Sequence, residues 1–408
     1  MEKAEFYREA RRDRSGPLSG VRVVDITTAW AGPMVACVLA DLGCDVVHVD
    51  LPASPGGTNF VPNIPGTSLS WAHQTVNRNK RSVAVDLHQP DGIELLKELV
   101  AVSDVVVQNF RPGTLDEWGI GYEHCRAVKA DIIYVSVSGY GQFGPWSHRP
   151  GYDPAALAMS GWMSLNGTVD GPPNKAPTFL ADDLAGLHGA IGALAALNHR
   201  RVTGEGQHVD VALLDSILFQ SDGYLTLGAL DVSMPRIGNQ VGPNVPCNTY
   251  ECSDGRYVYL AIALDSHWRK LTGAMDQPDL GTAPGLATNA QRLENRALCD
   301  RIVAEWCLGR SRDEVLRISD QIAVVAAPVE TYHNAAREAH VLERDMLVPT
   351  VLSDGTAAPI TGPAAKFSRT PTTVRFGAPM VGAHTEDVFT EIGIDAERLA
   401  RLRADGVI

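Results

Sequence analysis

Cysteine is scarce in this 408-residue chain, with seven in all, and no two form a C-x-x-C pair. Cys37, Cys44, Cys125, Cys247, Cys252, Cys299 and Cys307 are scattered, and no histidine cluster accompanies them, so no metal site is expected. An odd, scattered set of this kind is expected to be reduced thiols in a cytoplasmic protein. No run of about 18 apolar residues is free of polar breaks, so no membrane span is expected. The start, MEKAEFYREARRDRSGP, is charged and has no apolar core, which speaks against a signal peptide. Positive charge is also short. Lys and Arg number 35 against 48 Asp and Glu, a net charge of −13, which argues against nucleic acid as a general partner while allowing a local basic pocket. The length exceeds one ordinary core and predicts two domains, or one large domain with a smaller one inserted.

What is present from Val21 onward is a clean alternation. VRVVDIT reads as a buried strand, AGPMVACVLADLG as a helix with Pro33 in its first turn and Gly43 past its end, and CDVVHVD as a second strand. RSVAVDL, DVVVQNF and DIIYVSVSGYG read as further strands, with DGIELLKELVAVS, TLDEWGI and GYEHCRAVKA as helices among them. Apolar strands alternating with helices predict a parallel sheet covered on both faces. From about Pro235 the text becomes turn-rich, with hairpin patterning around Asp254-Gly255, and helices follow. The segment GTAAPITGPAAKFSRTPTTV reads as extended, and the C-terminus as helical.

The first strand–helix–strand invites a dinucleotide reading, but its turn, TTAWAGP, has a single glycine where that fingerprint needs several. The stretch TFLADDLAGLHGAIGALAALNHRR carries more information. Asp182 and Asp183 open a helix with no Asp, Glu, Lys or Arg until Arg200. An acid at that place caps a helix and faces the positive end of its dipole, and one acid is enough for a cap. A second acid beside small residues (Ala185, Gly186, Gly189) admits another role, an ionised carboxylate that attacks a closely held ligand. His188 falls about 240° around the helix from Asp182, off its face, and reads as a core histidine.

Cations and polar groups supply the remaining candidates. Arg78, Lys80 and Arg81 precede a strand and are either a solvated basic loop or phosphate contacts. Asn109, Phe110 and Arg111 follow a strand at its carboxyl end, where open α/β sheets bind ligands, although Pro112 and Gly113 also suit a plain tight turn. Tyr152 and Asp153 stand where the loop GYGQFGPWSHRPGYD enters a helix, so Asp153 has a capping role available and Tyr152 either packs or donates a hydrogen bond.

Taken together, AGPMVACVLADLGCDVVHVD, NRNKRSVAVDL, VVVQNFRPGTLDEWGIGYE, YVSVSGYGQFGPW, RPGYDPAALAMSGWMSLNG, ADDLAGLHGAIGALAALNHRRVTGEGQHVDVALLDS and GAHTEDVF resemble the class III coenzyme A transferases, nearly end to end. That family includes formyl-CoA transferase, carnitine CoA-transferase and α-methylacyl-CoA racemase. The resemblance implies an α/β chain with a large Rossmann-like parallel-sheet domain, 1–224 completed by 331–408, and a smaller α+β domain at 225–330. It also implies interlocked homodimers. It places the family's nucleophilic aspartate at Asp182, which would attack an acyl-CoA thioester. CoA as a thioester substrate, an acyl-CoA donor and a carboxylic acid acceptor follow, with no prosthetic group and no metal. The first strand–helix–strand is the family's CoA side, where Trp30 and Leu51 replace a Gln and an Arg of formyl-CoA transferase. Trp30, Ala31, Lys80, Arg81, Asn109, Phe110 and Arg111 are the expected CoA contacts. Family racemases carry a His in a G-H-D stretch that here reads GYD. Tyr152, a phenol of pKa about 10, is a poor base at neutral pH and tilts the expectation toward transfer, with His148 nearby as the possible base of a racemase or isomerase. The loop 236–244 is the short counterpart of a glycine-run loop that shields the formyl enzyme's intermediates.

Overall fold

A computed structural model of the protein describes residues 1–52 and 62–408. Six strands, β1 (Arg22–Ile26), β2 (Asp45–Asp50), β3 (Lys80–Ala84), β4 (Val105–Gln108), β5 (Ile133–Ser138) and β6 (His208–Ala212), form one sheet in the order β3-β2-β1-β4-β5-β6. Every neighbouring pair is parallel, with Val24 opposite both Val47 and Val106. The near-continuous valines and isoleucines explain this, because a sheet with helices on both faces buries both sides of each strand. Val23, Val24, Val47, Val106, Val107 and Val135 are fully buried. The strand order reverses between β1 and β4, so the carboxyl ends of these two strands diverge into a crevice.

By its internal contacts the chain divides into two compact units. The larger comprises Met1–Trp162, Lys175–Leu230 and Ala339–Ile408, and the smaller Met163–Asn174 and Asp231–Glu338. The segment Met163–Asn174, left with the larger domain by the sequence, belongs to the smaller unit. That unit holds an antiparallel sheet of β7 (Cys247–Glu251), β8 (Tyr257–Ala261) and β9 (Val325–Pro328). The Asp254-Gly255 turn joins β7 to β8, with Gly255 at φ 72°, and Trp268, Leu260 and Val303 centre the unit's core. In the larger unit the extended C-terminal segment forms a hairpin of β10 (Leu347–Val351) and β11 (Ala357–Thr361). Its turn at Asp354-Gly355 is a hairpin signal, so the segment is a hairpin and not a single extended run.

The helix Leu180–Thr203 revises two expectations. At 24 residues it is long and apolar enough to cross a membrane by length and composition, although it packs against β5, β6 and the Ala31–Asp41 helix. Its small residues serve that packing rather than a ligand. A β-carbon on Gly186 would lie 2.5 Å from Met34 Cγ, and one on Gly189 2.5 Å from Val35 Cγ2. The glycine backbone of the long helix therefore packs directly on the Met34 and Val35 side chains of the other helix, which fixes where its first turn points.

Candidate functional site

The site grows from the turns that leave β1 and β4. Thr27 donates its N–H and its hydroxyl to Asp25 Oδ1. Asn109 accepts from Thr28 N at 2.9 Å and donates Nδ2 to Thr28 O at 2.7 Å, locking the two turns together. Directly after these anchors Ala29 has φ 65°, a left-handed conformation costing an alanine roughly 1–2 kcal/mol. The flanking bonds hold it there, so this wall of the site is built, not incidental.

Beside these turns lies a cleft of about 220 Å³, lined by Thr28, Ala29, Trp30, Ala31, Asn109, Phe110, Arg111 and Pro112 on one side. The end of β5, the loop residues Ser147 and Arg149 to Tyr152, Leu213 and Asp182 complete it. A β-carbon on Gly139 would stand 2.8 Å from Gly151 Cα, so the strand end and the loop entering the next helix cross in direct contact at the wall. Trp30 is nearly buried, against Phe179 at 4.8 Å and Trp71 at 5.8 Å between ring centroids.

The acid doublet resolves into two jobs, neither of them capping. Phe179 occupies the N-cap of the long helix and offers no side-chain bond. The cap comes from Asp153, whose Oδ1 accepts from Ala181 N at 2.7 Å and Asp182 N at 3.4 Å. Asp183 accepts the Trp30 indole N–H at 2.7 Å. Asp182 is left with a carboxyl that faces the cleft and accepts no hydrogen bond among the described residues.

Burial, then the neighbouring Asp153, then Asp183, push the Asp182 carboxyl up to about 7. This overturns the expectation of a plainly ionised acid, since desolvation and two like charges outweigh the helix terminus. Asp153 and Asp183 are themselves raised, first by burial. If Asp182 must be ionised to react, kcat/KM should rise along an acid limb with an apparent pKa near 7. Asp153→Asn keeps an acceptor for Ala181 N while removing a charge, so the limb should shift toward lower pH. A limb that stays in place in a pH–rate profile of this variant would separate it from Asp182.

The expected contacts divide on this geometry. Trp30, Ala31, Asn109, Phe110, Arg111, Tyr152 and Asp182 all line the cleft. Tyr152 is 74% exposed, at the rim. Lys80 and Arg81 do not line it, which corrects their placement as phosphate contacts. Lys80 is fully buried and spends its three donors on Asp25 Oδ2, Pro33 O and Asn77 Oδ1 at 2.7–2.9 Å. Arg81 pairs with Asp45, the first residue of β2, at 2.7 Å and with Glu391 at 2.8 Å, at the amino edge of the sheet, opposite the ligand edge. Arg78 is held by Asp41 at 2.6 Å.

Two contributors escaped the sequence. Arg149 lines the cleft and stacks over Trp146 with its guanidinium carbon 5.3 Å from the ring centroid. It lies in the same HRPGYD stretch as Tyr152 and next to His148, an exposed residue that is not part of the lining. Asp153 looked like the cap of its own helix and instead caps the one carrying Asp182. Arg111 and Arg149 make the cleft basic in an acidic protein and share it with a carboxyl that has no hydrogen-bond partner among the described residues, an arrangement suited to an anionic ligand and a reacting carboxylate.

The model of CoA-transferase family III matches residues 18–385. The beta subunit of succinyl-CoA–L-malate CoA-transferase from Chloroflexus aurantiacus is 36% identical over 401 residues, covering 96% of this chain and 98% of that protein. Succinate–glutarate CoA-transferase from Agrobacterium fabrum is 33% identical over 391 residues, covering 93% and 96%. Among solved structures, a CAIB/BAIF family protein from Brucella suis superposes with a TM-score of 0.84 at 31% identity, covering 93% of this chain and 100% of that one. A basic cleft at the strand-order switch, a lining carboxyl with no hydrogen-bond partner among the described residues and these matches over nearly the whole length lead to one conclusion: the chain is an enzyme of CoA-transferase family III.

Proposed function

We propose that this enzyme moves CoA from a short dicarboxylic acyl-CoA donor, of the succinyl-CoA kind, to a carboxylic acid acceptor, with Asp182 as the covalent carrier. The observation that carries the reading is Asp182 itself, lining the cleft with no hydrogen-bond partner among the described residues while Asp153 caps its helix and Asp183 holds Trp30. An Asp182 oxygen attacks the thioester carbonyl carbon, the C–S bond breaks, and CoA leaves as its thiolate while the acyl group stays on Asp182 as a mixed anhydride. The thiolate attacks the aspartyl carbonyl, giving an aspartyl-CoA thioester and the donor's free carboxylate. The acceptor carboxylate then attacks that thioester, and the returning thiolate takes up the new acyl group and restores the Asp182 carboxylate. Covalent attachment to Asp182 in this way replaces one difficult exchange between two acids with a series of easier acyl transfers.

The donor preference rests on relatives named for succinyl-CoA with L-malate, D-citramalate and mesaconate, and for succinate with glutarate. Asn109, Phe110 and Arg111, with Arg149, are the proposed contacts of the CoA ester, Trp30 and Ala31 the wall against its acyl end, and Tyr152 a hydrogen-bond donor at the rim. Among the described residues no histidine lines the cleft, which favours transfer over α-proton chemistry. A panel of acids offered with succinyl-CoA tests the pairing. Incubating the enzyme with a chiral 2-methylacyl-CoA in heavy water, without an acceptor, should give no rapid α-deuteration; rapid exchange would make it an isomerase. Tyr152→Phe should lower turnover about tenfold without abolishing it, and an unchanged rate would remove Tyr152 from the mechanism.

A homodimer, interlocked as in the family, belongs to the same proposal. Leu187, Ile191 and Phe219 are about half or more exposed, an apolar face suited to a second copy. Light scattering should give twice the chain mass; a monomer would end this part of the proposal. A cytoplasmic setting, where acyl-CoA esters and reduced thiols coexist, is the proposed location.

A further inference from the structure

The misplaced Lys80 has a different task. Its ammonium lies at the centre of a buried set that includes Asp25 and His48, and Lys80 and Asp25 are both fully inaccessible to solvent. Asp25 Oδ2 accepts from Lys80 at 2.8 Å and lies 2.9 Å from His48 Nδ1. The other Asp25 oxygen holds Thr27, the first residue of the cleft turn. Lys80 also reaches Pro33 O at 2.9 Å, in the first turn of the helix that follows. The segment from Thr27 to Pro33, with Ala29 in its left-handed conformation and Trp30 against Asp183, is thus held at both ends by one buried ion pair.

Burying such a pair is costly, and an apolar pair of the same volume often serves stability as well. Its geometry offers a reason for its presence. An ammonium with three directed donors can hold a strand carboxylate and a helix carbonyl in one fixed relation, which apolar contacts cannot do. We infer that Lys80 and Asp25 are positioning residues that hold the Thr27–Pro33 turn in its ligand-ready shape, although neither touches the ligand. The inference adds to the proposed function, and its consequence for turnover rests on that reading, whereas its structural content does not.

The test compares Lys80→Met with Arg78→Met. The second removes a buried cation from the Asp41 pair, at the far end of the Ala31–Asp41 helix. Both are expected to lower the melting temperature, and both are assayed well below it, with folding checked by circular dichroism. Hydrogen exchange followed by mass spectrometry, on the protein without ligand, should show at least tenfold faster exchange across Thr27–Val35 in Lys80→Met only. In succinyl-CoA-dependent transfer, Lys80→Met should lose at least tenfold in kcat/KM, chiefly through KM, while Arg78→Met stays near wild type. Should Lys80→Met not fold, Thr27→Val, which removes only the hydroxyl bond to Asp25, should give the same pattern at smaller size. Wild-type exchange across the turn in a folded Lys80→Met or Thr27→Val protein overturns the inference. Absence of transfer in the wild type would overturn the proposed function instead, and the exchange comparison would still decide this one.

Discussion

Asp182→Asn is expected to abolish CoA transfer, by a factor on the order of 10⁶ as for removal of a covalent nucleophile, while leaving CoA-ester binding close to wild type. The side chain keeps its size, so the cleft keeps its shape, and the amide is too poor a nucleophile to form the anhydride. The same substitution should raise stability at alkaline pH. The folded carboxyl is held near 7, above its ordinary value of 3.8, so the folded state binds the proton more tightly than the unfolded state. The stability contributed by the protonated acid is therefore present below about pH 4 and lost as pH rises toward 7. A neutral amide escapes that loss, and thermal melts of the two proteins should coincide at pH 4 and separate at pH 8, with the variant higher. Hydroxylamine added during turnover should place a hydroxamate on Asp182, located by fragmentation of its peptide. A tag on Asp183, or an active Asp182→Asn protein confirmed free of deamidation, would move the chemistry elsewhere.

Replacing Arg111 and Arg149 together with alanine should weaken CoA-ester binding about 100-fold or more. Both arginines line the cleft, and neither Lys80 nor Arg81 is there to substitute. A charge-assisted hydrogen bond contributes about 1.5–3 kcal/mol, so two of them correspond to two or more decades in Kd. Added salt should weaken the wild type more than the double variant, because the variant has fewer charges to screen. Calorimetry with succinyl-CoA at two ionic strengths reads both effects. Unchanged affinity would mean that the phosphates lie outside this cleft. Replacing Arg81 instead should leave affinity unaltered, since its charge is spent on Asp45 and Glu391.

The charged residues whose places are not legible in the sequence share one physical reason. Lys80 and Arg149 are both cations near Gly, Pro or Asn, and nothing local to either tells which one is buried. Lys80 is at a strand's first residue, and only the parallel neighbours β2 and β1 bring Asp25 and Pro33 to its ammonium. Arg149 comes to the cleft because its loop crosses the end of β5 at Gly139, a contact between residues twelve apart. The roles of Asp182 and Asp183 were equally hidden, because a cap looks local while the actual cap, Asp153, comes from 29 positions away. The ionisation of Asp182 was misjudged for the same reason: the helix terminus is visible in the text, and the burial that outweighs it is not.

By itself the sequence determined the alternation of strands and helices, the parallel sheet, the family and the aspartate that opens the long apolar helix. These follow from periodicity and from motifs carried within short spans of chain, where the residues that matter are neighbours in the text. Tertiary structure alone decided which charges are spent and which remain free. That question turns on burial and on partners brought together by the strand order, as Asp25 meets Lys80 across β2 and Trp30 meets Asp183 across 153 positions. Electrostatic interactions depend on distance and solvent exposure, and neither is a property of sequence separation.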